Sequence, residues 1–150
     1  MVDALRRAHR WVAPDGYLVD IHPTDVRAAM QVGNREIGPL DDGDAPARHA
    51  AAGDALNTVV TLGLFERIAI VEFDFHTYAD SAEELRDFVA STWGKTRIGQ
   101  TTTDAAHAAH VCAARGVRPA TRERVAWTTL RPLAPSHVHA ISPVSNSSLE

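Results

Sequence analysis

Apolar residues recur along this chain with two different periods, and the switches between the periods mark out its elements. Leu5, Ala8, Trp11 and Val12 share one helical face, which predicts a helix over 3–12. Pro14-Asp15-Gly16 stops it in a turn, and 17–22 is a short, mostly apolar strand ended by Pro23. Segments 26–32 and 35–40 flank Gly33-Asn34, a two-residue connection that suits the positive φ of a primed hairpin turn. Pro39 lacks a ladder donor, so the second hairpin strand should lie at a sheet edge. Asp44 is placed to cap a helix with Pro46 in its first turn. That helix should run to about residue 62, with Ala51, Ala55, Leu56, Val59, Val60 and Leu62 on its apolar face and Gly63 beyond its end.

The period changes back to two over 66–78, the clearest strand, where Val71, Phe73 and Phe75 alternate with Glu72, Asp74 and His76. Ser81-Ala-Glu-Glu84 reads as a capping box opening a helix through Trp93. A further helix should start at Thr103 or Asp104 and stop at Gly116, and 121–130 alternates again before Pro132. The expected order is helix, strand, hairpin, helix, strand, two helices, strand, in one domain over 1–132. Residues 133–150, rich in Ser, Pro and His and without periodicity, read as a flexible tail.

Composition narrows the class without naming a chemistry. With 150 residues, 45% hydrophobic and 23% charged, the chain has the make-up of an ordinary globular domain. A net charge of −4 offers no clustered basic face for nucleic acid. No run approaches the length of a membrane span and no signal peptide is evident, so a cytoplasmic location is the expectation. The one cysteine, Cys112, excludes an internal disulfide and reads as a buried thiol on an Ala-rich helix.

Several short strings carry a family resemblance. Leu5-Arg-Arg-Ala8-His-Arg10-Trp-Val12-Ala-Pro14-Asp-Gly16-Tyr-Leu18 resembles the "L-x-x-A-x-R-x-L-x-P-G-G-x-L" run in the second half of class I S-adenosylmethionine-dependent methyltransferases. Gly63-Leu-Phe65 resembles that family's lead into the next strand, and Tyr78-Ala-Asp-Ser-Ala-Glu-Glu-Leu85 resembles the helix opening that follows it. The resemblance implies an α/β fold, α+β at its C-terminal edge: a truncated Rossmann-like sheet with a β-hairpin insertion and flanking helices. In it, 17–22 matches the central strand, while 66–78 and 121–130 match an antiparallel edge pair. It also implies that the cofactor-binding half would precede this run. No acidic-x-Gly-x-Gly string occurs, so no cofactor residue is carried over, and S-adenosylmethionine would require a missing N-terminal half.

The polar candidates each carry a plainer reading beside the chemical one. Asp20 and His22 alternate on the first strand and should share a face at its C-terminal end, the makings of a general base; a polar pair bonding the Thr24/Asp25 turn explains them as well. His76, Tyr78 and Trp93 border the substrate side in the methyltransferase resemblance, whereas a solvated sheet face and a core aromatic are the bland alternatives. Trp11 and Trp127 likewise read as core or interface aromatics. Asp104, His107 and His110 share a helix face with metal-ligand chemistry but lack the spacing of the hydrolytic zinc signature, so a solvated face outweighs a metal site. His137 and His139 lie in the tail.

The expected function is a methyltransferase-derived domain without self-sufficient cofactor binding, not active alone, that binds a ligand or partner. A sheet lacking strands would expose an apolar edge and face, which calls for a homo-oligomer, a homodimer in the simplest case, or a complementary chain. One alternative is part of an active methyltransferase acting on a small molecule, as a fragment or a split enzyme. The other is a small metal-binding α+β protein.

Overall fold

The computed structural model describes residues 1–134. The histidines His137 and His139, and all of the expected tail beyond residue 134, lie outside the described residues. Among the described residues four helices and five strands follow in the expected order: α1 Val2–His9, β1 Leu18–Pro23, β2 Ala29–Val32, β3 Arg35–Pro39, α2 Ala45–Thr61, β4 Phe65–Tyr78, α3 Ala82–Thr92, α4 Gln100–Val111 and β5 Pro119–Pro132.

The fold is mixed α/β, and every strand pairing in its single five-stranded sheet is antiparallel. The long last strand organises it. One edge of β5 pairs with β4 along its whole length, from Phe65 opposite Pro132 to Tyr78 opposite Ala120. The other edge is shared end to end, by β1 at its C-terminal part and β2 at its N-terminal part. β3 hangs on β2 alone, so Pro39 does sit on an edge strand. β1 and β4 run the same way with β5 reversed between them.

Local signals account for most boundaries. Only Gly33 takes positive φ in the hairpin connection, at 58°, while Asn34 does not. Gly63 follows the C-cap Leu62 with φ 69°. The Ser81 hydroxyl accepts the Glu84 amide at 3.1 Å, and the Glu84 carboxylate reaches back to the Asp80 amide at 2.9 Å, one residue before the position a capping box predicts. Asp44 occupies the N-cap of α2, but its side chain makes no cap bond. The helix expected from Thr103 begins at Gln100 instead; the buried Thr103 hydroxyl bonds back to the Gly99 carbonyl and continues the turn.

Two small apolar clusters sit on residues of opposite parity along β5. Leu5, Ala55, Leu56, Val59 and Phe65 gather on Leu130, so α1 and α2 cover the even-numbered positions of its C-terminal part. Leu85, Val89, Ile98 and Ala106 gather with Met30, which pairs with the buried Thr121, so α3 and α4 cover the odd-numbered positions of its N-terminal part.

Apart from Val125, which is buried, the odd-numbered face of the C-terminal part is left exposed among the described residues. Ile21, Trp127 and Val71 lie side by side across three strands, and Val19, Phe73 and Phe75 extend the layer. Their exposures run from 37% for Phe73 to 57% for Val71. Trp127 is therefore not a core residue, and Trp11, 87% exposed, is not one either, because it lies past the end of the short α1. Cys112 is exposed rather than buried, since it caps α4 outside the packed face.

Candidate functional site

β1 is built inside out. Its apolar Val19 and Ile21 face solvent, whereas Leu18, Asp20 and His22 pair with Leu130, Thr128 and Ala126 on the side that α2 covers. Alternation alone sets this arrangement, because a strand places residues i and i+2 on one face. The expected pairing of Asp20 and His22 is present, since a carboxylate oxygen of Asp20 is hydrogen-bonded to His22 Nδ1. The two bond each other rather than the following turn. The Thr24 carbonyl is engaged by His49 Nδ1 from α2, at 3.1 Å.

His22 lines a cleft of about 280 Å³ between α2 and the sheet. A stripe on α2, His49, Gly53 and Asn57, spaced at i, i+4 and i+8, forms one wall. A methyl group added at Gly53 would sit 4.0 Å from His22 Nε2, the nearest atom it meets, so the glycine leaves that nitrogen open. β4 forms the other wall with Arg67, Ile70 and Glu72.

Arg67 reaches this wall through a β-bulge. Before the bulge Arg67 pairs with Leu130, and after it Ala69 pairs with Thr129, so Ile68 is extra and the alternation slips by one. The slip puts Arg67 on the same face as Ile70 and Glu72, which strict alternation would not. Arg67 Nη2 donates to Asn57 Oδ1 at 2.6 Å, and its Nε is buried with no hydrogen-bond partner. Glu72 shares Arg124 with Asp74, at 3.3 and 3.2 Å; these bonds, Asp74 first, raise the Arg124 pKa.

Chemically, a carboxylate on Nδ1 fixes the imidazole proton there and leaves Nε2 as an acceptor, the arrangement of a general base. Sequence reading had Asp20 and His22 but missed His49, Gly53, Asn57 and Arg67. The α2 stripe was a readable signal; the bulge that aims Arg67 was not.

The other candidates are not gathered into this cleft. His76 and Tyr78 stack on each other at 5.8 Å between ring centres, and Arg118 lies 5.6 Å over the Tyr78 ring. Trp93 caps α3 and lines a separate cavity of about 290 Å³ with Asp42, Arg48, His49 and Glu123. There burial pushes the Glu123 carboxyl up, with Asp42 adding to the rise and His49 opposing it. His107 pairs with Glu83 at 3.1 Å and Asp104 accepts from Gln100 at 2.7 Å. Among the described residues no group of three or more metal-ligating side chains converges, and no helix is long and apolar enough to cross a membrane.

Comparison with protein-family models, with curated proteins and with solved structures finds no match for this chain.

Proposed function

We propose that this chain is a methyltransferase-like partner-binding module, whose uncovered apolar layer is the docking surface for a second polypeptide, in the simplest case another copy. The observation that carries the reading is the inverted pattern of β1 together with the exposed Val71, Phe73, Phe75 and Trp127 beside it. A strand that turns its polar residues toward the helices and its apolar ones outward is stable where the outer side is also covered. About half of each of these side chains is still exposed, so covering the remainder is worth on the order of 1 kcal/mol apiece. The methyltransferase-like part rests on the quoted strings, the antiparallel pairing of β4 with β5, and the packing of α1 and α2 on one side.

No acidic-x-Gly-x-Gly string occurs in the chain, so this reading gives it no S-adenosylmethionine site of its own. Light scattering over a concentration series tests the partner reading. A homo-oligomer is expected, and Phe73→Lys should dissociate it by burying a charge in the layer. A monomer at every concentration sinks the homo-oligomeric form. Calorimetric titration with S-adenosylmethionine should give no heat.

The Asp20–His22 pair and its cleft favour a second reading, in which the docked partner supplies the cofactor half of an active methyltransferase acting on a small molecule. Reconstitution with a polypeptide carrying a Gly-rich cofactor strand, assayed for methyl transfer, separates this reading from the first.

A further inference from the structure

We infer that the cleft between α2 and β4 binds a small neutral compound with a hydroxyl and a carbonyl on an apolar frame. The inference stands on the cleft alone and does not depend on what covers the opposite layer.

Three features select this ligand. The first is an acceptor: His22 Nδ1 is taken by Asp20, so its Nε2 receives an O–H, and the missing side chain at Gly53 leaves that nitrogen reachable. The second is a donor: Arg67 lines the cleft, and of its guanidinium N–H groups Asn57 takes only one, on Nη2, so a carbonyl oxygen finds an N–H there. The third is the rest of the lining. Leu56, Ile70 and Ala126 offer apolar contact, suited to a ring or short chain. Charge settles the remaining choice. Asp25, Asp54 and Glu72 line the cleft against the single guanidinium of Arg67, so a carboxylate ligand meets more repulsion than attraction. A cationic ligand would meet the Arg67 guanidinium with like charge and offer its N–H groups no acceptor.

The test is a titration of the full chain with 3-hydroxybenzamide and 4-hydroxybenzamide, followed by the ¹⁵N resonances of the histidine rings. Benzamide, which lacks the hydroxyl, and 3-hydroxybenzoate, which adds a charge, are the controls. At least one hydroxybenzamide should move the His22 Nε2 resonance saturably, with both controls binding roughly tenfold more weakly. Gly53→Ala, which leaves every polar group in place, should abolish the shift, and His22→Gln should remove the preference for the hydroxyl. The inference is overturned if neither hydroxybenzamide moves His22, if benzamide or 3-hydroxybenzoate binds as tightly, or if Gly53→Ala binds like the parent chain. Should His22→Gln fail to fold, the Gly53→Ala result decides by itself.

Discussion

The same three strands, β1, β5 and β4, present two layers that differ in almost every respect. One is covered by α1 and α2 around Leu130, and its polar residues are collected into a cleft. The other is apolar from Ile21 through Trp127 to Val71 and has no cover among the described residues. Hydrophobic burial holds the first layer together within the chain. The second has side chains of the same kind, yet half exposed as they are they return much less to the stability of a lone copy. The contrast teaches that strand alternation guarantees two faces, while only the count of available helices decides how many are covered.

The largest expected effect contrasts core with bare layer. Leu56→Ala, in the sealed cluster, should cost about 2–5 kcal/mol in chemical denaturation. Val71→Ala, at low concentration where the chain is monomeric, should fall within about 0.5 kcal/mol of the parent. A large loss at Val71 under those conditions would mean that the layer is covered within the chain. Next, Gly53→Ala should stabilise α2 by about 1 kcal/mol, since glycine in a helix interior is penalised and the new methyl meets only ordinary contact. A destabilised variant would show that Gly53 is needed for packing rather than for access. Ser81→Ala should cost about 1 kcal/mol through the lost cap of α3, a control remote from both layers.

The smallest effect is the pH dependence of Glu123. Burial raises its folded-state pKa above the unfolded value, so the folded chain holds the proton more tightly. Its contribution is therefore favourable below the ordinary carboxylate range and is lost as pH rises through the raised value. Glu123→Gln should flatten that part of the stability profile in denaturation at several pH values. An unchanged slope would place Glu123 in solvent.

Much of the secondary structure was legible because its signals are local. The Ser81 cap, the Gly33 and Gly63 conformations, the edge position of Pro39 and the run of β4 all follow from residues within a few positions of one another. Asp20 and His22 were legible as a pair for the same reason, two residues apart on one strand. Cys112 was misread as buried, and the core alternative for Trp11 fails, because position on a helix says nothing about whether another element reaches that position.

By itself, then, the sequence determined the order of elements, several of their ends and the alternation that pairs Asp20 with His22, since φ preferences, caps and alternation act between near neighbours. Only the tertiary structure decided that β5 lies between β1 and β4, that a bulge turns Arg67 onto the face of the cleft that His22 also lines, and that one apolar layer is left bare. Those outcomes depend on long-range strand register and on where helices run out, and a one-residue slip in either reverses which side chains meet.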